Sequence, residues 1–458
     1  MNVRQTRSRF PALARPDGSR PPSYLDSACL SLVPRDVLDA MEEYFTEYPG
    51  CAGRSVHRFS EEVGRRFEET RAEFARFLGR AEPEGVVFLR NATEGINLVA
   101  QGLRWKRGDR VLVSDREHNS NLVVWQRLAR EQGIVLDAFP LPDDAAFDGD
   151  AFEAALARRP RFVSVFHTSN LDGRSLPLRE IVERAHDRGA RVLADGCQAA
   201  PHRRVDLDRL EVDAYALSCH KMLGPTGVGV LGARAELLNE LRPIVLGGET
   251  VEWTTQDDHA LRPVPYRFEA GLQNYAGVLG AAAGLRFLER FGLAEVEARQ
   301  LALNRQVGRG LSGERRVHVL GPSEPAARPS IYAFTLDGVD PHDAALYLDE
   351  GHGVLVRSGR HCVHSFYEAR GLVGNVRASF YLYNDRQDAD ALIEGVRKLL
   401  ELVPERRPSG TSAGTPAGRR PDARVPRRAA GSAGAAARSA RPRRRGARGR
   451  AGYGGGSG

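Results

Sequence analysis

Short apolar segments alternate with amphipathic ones between residues 85 and 218, and this alternation constrains the fold more than any other feature of the chain. Apolar runs of strand length occupy 85–90, 109–114, 161–167, 190–195 and 213–218. Helical patterns such as GINLVAQGL and LREIVERAHDRG separate several of them. Nearly continuous apolar strands joined by helices predict a parallel sheet covered on both faces, and therefore an α/β fold. Ligands of such sheets bind where the carboxyl ends of the strands meet helix N-termini.

The pattern changes after about residue 275. Two helical segments, AGVLGAAAGLRFLERFG and LAEVEARQLALNRQVGRGL, precede the strand-like SIYAFTL, GVLVRSG and NVRASFYLYN, and DADALIEGVRKLLEL closes the pattern as a helix. This order predicts a smaller α+β domain. We therefore divide the chain into an N-terminal extension (1–22), a large domain (23–285), a small C-terminal domain (286–405) and a tail (406–458), and leave open that the small domain recruits part of the N-terminal segment.

The tail carries most of the basic character of the chain. It contains fourteen arginines and one acidic residue, Asp422, so its own net charge is 14 − 1 = +13. Because the whole chain has a formal net charge of +7, residues 1–405 carry 7 − 13 = −6. Its Arg, Gly, Ala, Pro and Ser composition cannot bury enough apolar surface to offset chain entropy, which predicts disorder. Runs such as RPRRRGARGR suit phosphate contacts with nucleic acid, but charge runs alone specify no partner. We favour a solvated extension without a dedicated role.

Cysteine usage and hydropathy bear on the compartment. The five cysteines are odd in number and form no CxxC pair, which predicts free thiols in a reducing cytoplasm and argues against a disulfide framework or a structural metal site. No apolar run approaches the roughly 20 residues that span a bilayer. The basic N-terminus MNVRQTRSRFPALARP lacks the apolar core of a secretory signal, and we read it as an irregular start.

One lysine lies where a buried strand should end. The stretch ALSCHKMLGPTGVGVL puts Lys221 between a histidine and a glycine-rich turn, directly after an apolar run. A surface lysine on a loop is the commoner meaning of an isolated His-Lys pair. A lysine is nevertheless costly to bury unless its charge is paired, neutralised or used.

Other strand ends carry chemically capable side chains. NATEGIN follows one strand and opens a helix with Asn91 or Thr93 as N-cap, where free N–H groups suit a phosphate. His118 and Asp195 follow two further strands. Each alone is as readily a cap or a structural residue. Together with Lys221 they describe a pyridoxal phosphate (PLP) site, which needs an amine for a covalent link, an acid for the ring nitrogen and a phosphate cradle.

The order of motifs TEGIN, EHNSN, HTSNLDG, ADGCQA, SCHKMLGPTGVG, FEAG, RSGRHC and RASFYLYN resembles the class V PLP-dependent aminotransferase family. It is most similar to the type II cysteine desulfurase and selenocysteine lyase group. The resemblance runs from about residue 24 to about residue 403 and leaves out the tail. It implies the type I fold of PLP-dependent transferases, with a mainly parallel seven-stranded sheet between helices, a smaller α+β domain and a homodimer.

The resemblance also implies residue roles at the cofactor. Lys221 binds PLP covalently and later moves protons at the substrate Cα. Asp195 pairs with the pyridinium nitrogen, His118 stacks on the ring and takes part in catalysis, and Gln198 contacts the side of the ring hydroxyl. Thr93, Ser218 and His220 hold the phosphate, and Ala92 is a further cofactor-binding residue.

A thiol above the substrate separates desulfuration from transamination. The segment VLVRSGRHCVHSF supplies Cys362, which matches the family's reactive cysteine and would become a persulfide while cysteine leaves as alanine. Arg357, Arg360 and His361 surround it in sequence with groups that favour a thiolate. The resemblance assigns Asn170, Arg357 and Arg377 to substrate binding, with Arg377 clamping the carboxylate through its planar fork. A small core cysteine is the alternative for Cys362.

The chain departs from the family pattern at three places. Cys219 stands where a small residue usually precedes the lysine, and GLQN replaces a GTPN whose threonine reaches the neighbouring subunit's phosphate. Leu272 cannot make that contact because it has no donor. The segment that begins at Cys362 reads CVHSFYEARG, whereas many members of the family have a proline-containing segment after this cysteine. We interpret Cys29, Cys51 and Cys197 as structural.

Three functions remain in view. The first is a cytoplasmic, homodimeric cysteine desulfurase (a sulfurtransferase) that passes persulfide sulfur to an acceptor protein of iron–sulfur cluster assembly or thiolation, with selenocysteine lyase as its close alternative. The second is another class V activity, such as an epimerase, a kynureninase-like lyase or an aminotransferase, none of which needs Cys362. The third is nucleic-acid or partner binding through the tail.

Overall fold

Strands and helices alternate through the first half of the chain in a computed structural model that describes residues 3–15 and 19–404. The five strands predicted from apolar runs between residues 85 and 218 are all present, and two more, Val135–Phe139 and Gly229–Ala233, join them in one sheet. The strands are β1 (Ser23–Tyr24), β2 (Val86–Leu89), β3 (Arg110–Ser114), β4 (Val135–Phe139), β5 (Phe162–Phe166), β6 (Arg191–Asp195), β7 (Ala214–Ser218), β8 (Gly229–Ala233), β9 (Val251–Thr254), β10 (His259–Leu261), β11 (Val317–Leu320), β12 (Ile331–Leu336), β13 (Val354–Leu355), β14 (Arg357–Gly359) and β15 (Asn375–Ser379).

The helices begin and end close to the predicted segments, because most carry a side-chain N-cap. Asn91, Asp148, Asn274 and Asp385 each accept a hydrogen bond from the first turn that follows them. The helices are α1 (Val3–Arg7), α2 (Arg35–Glu47), α3 (Arg58–Phe77), α4 (Ala92–Gly102), α5 (Asn119–Gln132), α6 (Gly149–Leu156), α7 (Leu178–His186), α8 (Leu207–Leu210), α9 (Ala235–Glu240), α10 (Tyr275–Phe291), α11 (Leu293–Leu311), α12 (Pro341–His352), α13 (His364–Arg370) and α14 (Arg386–Leu402).

The central sheet has seven strands in the order β2-β8-β7-β6-β5-β3-β4. The pairs from β7 to β4 are parallel, and β8 runs antiparallel to both β7 and β2. Successive residues of β6 belong to different hydrophobic cores: Val192 and Ala194 lie in one, and Leu193 lies in the other. Helices therefore cover both faces, as continuous apolar strands require. The predicted mainly parallel α/β fold is confirmed.

A second sheet occupies the C-terminal part of the described chain, in the order β11-β12-β15-β14 with antiparallel pairs. Helices α11, α12 and α14 contribute to a third core with Phe334, Val376 and Leu392. The short strand β1 pairs in parallel with β13, so the N-terminal segment reaches this part of the structure. The domain boundaries remain a prediction.

The N-terminal segment differs from the irregular start that we expected. Residues 3–15 include α1, and the side chain of Phe10 is fully buried. Its ring packs edge-on against Tyr383 and Phe287, with centroids 4.9 and 5.7 Å away. No periodic pattern of apolar residues predicts this packing, because a single aromatic residue makes these contacts.

The predicted disorder and nucleic-acid contacts of the Arg-rich tail fall on residues that lie outside those described. Within residues 3–15 and 19–404, no helix is both long enough and apolar enough to cross a bilayer.

Candidate active site

Four strands of the central sheet end at one place. The register pairs Phe166 with Asp195, Asp195 with Ala216, and Ser218 with Gly229, which in turn lies opposite Leu89. The carboxyl ends of β5, β6, β7 and β2 therefore meet, as the parallel topology predicts. Residues separated by more than a hundred positions in sequence come together at this edge.

A single cavity opens there and gathers nearly all of the predicted site residues. Gln198 is the one exception. Cys29, Ser120, Cys197 and His361 join the lining without having been assigned to the site from sequence. The cavity is lined by Ala28, Cys29, Asn91, Ala92, Thr93, His118, Ser120, Asn170, Asp195, Cys197, Ser218, His220, Lys221, Arg357, His361, Cys362 and Arg377.

The N-terminus of α4 points into the cavity. The Asn91 side chain caps the helix by accepting from the Glu94 N–H (3.0 Å), and the Ala92 N–H donates to Ser218 Oγ (2.9 Å). Strand β8 approaches this turn so closely that a Cβ on Gly229 would lie 2.4 Å from the Cα of Asn91, which only glycine avoids. The exposed Thr93 hydroxyl pairs with Ser120 Oγ (2.7 Å). This arrangement suits a phosphate at the helix start.

Lys221 lies in a 3₁₀ turn directly after β7 and is half-buried. No hydrogen-bond or ion-pair partner for its amine lies among residues 3–15 and 19–404. Burial and, next, the positive charge of Lys221 lower the pKa of His220 to about 4. The amine is thus held near other polar groups without being neutralised by a carboxylate, which leaves it available to a carbonyl ligand.

Asp195 and His118 face the same cavity from two strand ends. Asp195 is buried, and its Oδ1 accepts from the Cys197 N–H at 3.0 Å, which orients the carboxylate. His118 caps α5, with Nδ1 accepting from the Ser120 N–H at 3.1 Å. Burial, followed by the charge of Lys221, lowers the pKa of His118 to about 4. The ring is therefore neutral near pH 7, with its proton on Nε2.

Arg377 provides a buried cation in the cavity wall. Its side chain is 1% exposed, donates to Asn170 O (2.8 Å) and pairs with Asp26 Oδ1 (3.1 Å). Its Nε is buried without a hydrogen-bond partner among the described residues. An unsatisfied guanidinium N–H is costly in a protein interior, and a ligand carboxylate is the group that would satisfy it.

The segment with Cys362 has an unusual backbone. His361 and Cys362 both have positive φ, at 49° and 60°. Such angles are uncommon outside glycine and persist where neighbouring structure enforces them. Two N–H donors do this: Asn170 Nδ2, from the loop after β5, donates to His361 O, and the backbone N–H of Asn119, the first residue of α5, donates to Cys362 O, each at 2.7 Å. The half-buried thiol of Cys362 is thereby fixed at the cavity rim.

Of the three charged or basic neighbours predicted around Cys362, only Arg357 contacts it, with Nη2 at 3.9 Å from the sulfur. Arg360 instead pairs with Glu368. Burial lowers the pKa of His361 well below its usual value, so its ring is neutral, with Nε2 bonded to Asn375 Oδ1 (2.6 Å). The other nitrogen of His361, Nδ1, is buried without a partner among the described residues.

Gln198 is buried behind the cavity wall, and its Nε2 donates to Ala28 O at 2.6 Å. Its Oε1 has no partner among the described residues. Contact between Gln198 and the ring hydroxyl of a cofactor stays a prediction. Cys219, the departure beside Lys221, is fully buried in the core, where its side chain packs against Gly224. A Cβ at Gly224 would lie 2.9 Å from the Cβ of Cys219, so a glycine there makes room for the larger neighbour.

Comparisons with known proteins agree with this geometry. The family model of class V aminotransferases matches residues 23–392. The chain is 38% identical to a probable cysteine desulfurase 2 of Mycobacterium leprae over 88% of this chain and 97% of that relative. It superposes on the apo cysteine desulfurase of Thermococcus onnurineus NA1 with a TM-score of 0.80 and 36% identity, covering 83% of this chain and 95% of that one.

A more distant solved structure carries the cofactor that the sequence predicts. It is a mutant of the protein C-DES with glycine covalently linked to PLP, with a TM-score of 0.73, 25% identity and coverage of 85% of this chain and 98% of that one. The match of the family model to residues 23–392, and the relative that is matched over 88% of this chain, establish that this protein belongs to the class V aminotransferase family.

Proposed function

We propose that this protein is a PLP-dependent cysteine desulfurase, which converts L-cysteine to L-alanine and holds the sulfur as a persulfide on Cys362. The observation that carries the proposal is that one cavity contains an unpaired lysine amine, a buried acid, a buried arginine and a half-buried thiol: Lys221, Asp195, Arg377 and Cys362. The other class V activities that we considered need the first three groups and have no use for the fourth.

The described residues fit PLP. Lys221 would hold it covalently, Asp195 would pair with the ring nitrogen through the oxygen that Cys197 leaves free, and the start of α4 with Ser218 and His220 would hold the phosphate. Gln198 Oε1 is buried next to the cavity wall, and no described residue donates a hydrogen bond to it. A buried acceptor without a donor is unusual in a folded protein, and a bound cofactor could supply that donor. When bound, PLP supplies an electron sink that stabilises negative charge at the substrate Cα.

The substrate is oriented by the small-domain side of the cavity. Arg377 would bind the substrate carboxylate with its Nε, which has no partner within residues 3–15 and 19–404, while its pairing with Asp26 keeps the guanidinium in place. Asn170 and Arg357 border the same space. With the carboxylate anchored there, the substrate would share one cavity with the Lys221 amine and the Cys362 thiol, the two groups that desulfuration needs at its Cα and its sulfur.

Proton transfer and sulfur transfer are then divided between named groups. The Lys221 amine takes the proton from the substrate Cα. The Cys362 thiolate attacks the substrate sulfur, so that a sulfur–sulfur bond forms as the carbon–sulfur bond of the substrate breaks. The resulting carbon is protonated and leaves as alanine. Neutral His118 carries its proton on Nε2, since its Nδ1 is occupied by the Ser120 N–H, and it can donate that proton within the cavity.

We further propose a homodimer. Large apolar side chains remain exposed around one cavity, including Ile244 (39%), Val245 (51%) and Leu272 (65%). The family resemblance implies that a second copy of this chain covers this surface. Exposed apolar side chains in one place support such a contact between subunits. Leu272 would then contribute packing where the family pattern has a hydrogen-bonding threonine.

The product sulfur also needs an acceptor, and we propose a protein thiol that reaches Cys362 at the rim of the cavity. The cysteines of the described residues are all free, which supports a reducing, cytoplasmic setting for such transfers.

The test is anaerobic incubation of the PLP-loaded enzyme with L-cysteine, followed by measurement of alanine, sulfide and the mass of the peptide that contains Cys362. We expect alanine, and one extra sulfur atom on that peptide. Cys362→Ala should lower alanine formation from cysteine by at least about a hundredfold, or about 2.7 kcal/mol of transition-state stabilisation. The control is Cys51→Ala, a half-buried thiol outside this cavity.

Two results would decide against the proposal. Cysteine turnover by Cys362→Ala at the rate of the unmodified enzyme would exclude the persulfide step. Activity on L-selenocysteine without activity on L-cysteine would identify the selenocysteine lyase alternative.

A further inference from the structure

Two thiols share one guanidinium at the mouth of the cavity. Arg357 Nη1 donates to Cys29 Sγ at 2.7 Å, and Arg357 Nη2 lies 3.9 Å from Cys362 Sγ. Arginine presents its N–H donors in a rigid planar fork, so the two sulfurs are held at neighbouring corners of the same group. Both line the same cavity as Lys221.

The backbone of Cys29 is fixed from several directions. The Cys29 N–H donates to Asp26 O (3.0 Å) and closes a turn. In the preceding residue, Ala28, both the backbone N–H and the carbonyl oxygen are hydrogen-bonded to side chains. Its N–H donates to Ser379 Oγ (2.9 Å), and its carbonyl accepts from Gln198 Nε2 (2.6 Å). This is more restraint than a loop residue ordinarily has, and it places the Cys29 side chain towards Arg357.

Cys29 also differs from the cysteines that burial makes inert. Burial raises the pKa of Cys197 to about 12 and raises that of Cys219 further. Both are thereby kept as thiols, which are poor nucleophiles. Cys29 is half-buried, lines the cavity and accepts a hydrogen bond from the Arg357 guanidinium. The structural role that we expected for Cys29 from sequence does not account for this position.

We propose that Cys29 is a second sulfur-carrying residue, which takes the outer sulfur from the persulfide of Cys362. This inference rests on the proposed function, because Cys362 must first receive sulfur from cysteine. The Cys29 thiolate attacks the outer sulfur of the persulfide, and a bond forms between Cys29 Sγ and that sulfur. The bond from that sulfur to Cys362 Sγ breaks, and its electron pair leaves with Cys362 as a thiolate. The transferred sulfur keeps its hydrogen, and the exchange needs no oxidant or reductant.

Arg357 has a defined part in this exchange. Negative charge moves from the Cys29 sulfur to the Cys362 sulfur during the transfer, and the two ends of one guanidinium contact both atoms. The cation therefore stabilises the charge before and after the step without moving. Arg357 acts here as a positioning residue for two sulfur atoms.

The consequence is a storage capacity of two sulfur atoms for each chain. Once Cys29 holds the first sulfur, Cys362 is again a thiolate and can attack a second substrate molecule. In the absence of an acceptor, one chain should form two molecules of alanine before it stops, whereas an enzyme with one carrier thiol forms one.

The test uses the PLP-loaded enzyme, anaerobically and without reductant, with two equivalents of L-cysteine for each chain. Rapid quenching and alkylation are followed by mass analysis of the peptides that contain Cys29 and Cys362, and by counting the alanine formed in the burst. We expect one extra sulfur on each peptide and two alanines for each chain. Cys29→Ser, which keeps a hydrogen-bond acceptor for Arg357, should reduce the burst to one alanine and leave the Cys362 persulfide intact.

Controls separate this inference from the proposed function. Cys51→Ala should keep a burst of two, and Cys29→Ala should behave like Cys29→Ser. A Cys362 persulfide with no sulfur on Cys29 and a burst of one in the unmodified enzyme would overturn the second carrier and leave the desulfurase proposal standing. A Cys29–Cys362 disulfide with release of sulfide would also overturn it. Sulfur on Cys29 in the Cys362→Ala variant would show instead that Cys362 is not the first acceptor.

Discussion

The side chain of Asn170 donates a hydrogen bond to the backbone carbonyl of His361 at 2.7 Å. Asn170 follows a strand of the central sheet, whereas His361 directly precedes Cys362. His361 and Cys362 have positive φ, which is unfavourable for both residues, so the chain needs such a contact to keep the thiol at the cavity rim. The resemblance assigned Asn170 to the substrate, and the structure gives it this second contact.

Asn170→Ala should therefore lower kcat for cysteine by about tenfold, equal to the roughly 1.4 kcal/mol of one hydrogen bond. PLP content should change little, because the lost contact acts on the position of Cys362. Steady-state kinetics together with cofactor absorbance check this, with the exposed Asn239→Ala as control. Loss of PLP with unchanged kcat for each bound cofactor would mean that Asn170 acts on the cofactor instead.

Lys221 is one of three lysines in the whole chain, beside Lys106 and Lys398, which makes its covalent role unusually easy to test. Borohydride reduction of the loaded enzyme should add the mass of the cofactor to the peptide with Lys221 alone. Lys221→Ala should abolish the visible absorbance of the bound cofactor and lower kcat by at least about 10³-fold, or about 4 kcal/mol. The exposed Lys106→Ala should change neither. Label on Lys106 or Lys398 would contradict the assignment.

The sequence predicted the parts of the site that topology brings together. Asp195 and Lys221 each follow an apolar run, and parallel strands with adjacent ends explain why they meet. Two strands of the central sheet were missed for local reasons. Val135–Phe139 is an edge strand with polar and half-buried positions, and Gly229–Ala233 contains two glycines, which weaken a strand pattern.

Cys29 and Arg360 show what the sequence could not decide. Cys29 reaches the cavity through a turn held by Ser379 and Gln198, and no periodicity reports such distant hydrogen bonds. Arg360 is two positions from Cys362, yet its side chain pairs with Glu368 on the following helix. Proximity in sequence thus wrongly predicted a contact between Arg360 and Cys362, and it gave no sign that Cys29 lies in the same cavity as Cys362.

Arg377→Lys should raise KM for cysteine by between about tenfold and a hundredfold, because a hydrogen bond between charged groups contributes roughly 1.5–3 kcal/mol. Lysine keeps the charge beside Asp26 but loses the planar fork and the Nε donor, which has no partner in the part of the chain that the structure describes. Kinetics with cysteine measure the effect, and the exposed Arg386→Lys serves as control. An unchanged KM with a large loss of kcat would place the substrate carboxylate elsewhere.

His202 predicts how stability depends on pH. It is 5% exposed, its Nδ1 accepts from Gln300 Nε2 at 2.8 Å, and burial lowers its pKa to about 3. Between pH 6.5 and about pH 3, His202 is protonated in the unfolded chain but neutral in the folded chain, so acidification favours unfolding. This residue alone should lower the free energy of unfolding by about 1.4 kcal/mol for each pH unit. Denaturant titrations between pH 7 and pH 5 should give a shallower dependence for His202→Gln, whereas the exposed His259→Gln should retain the original slope. Identical slopes for the two variants would mean that His202 is protonated in the folded protein.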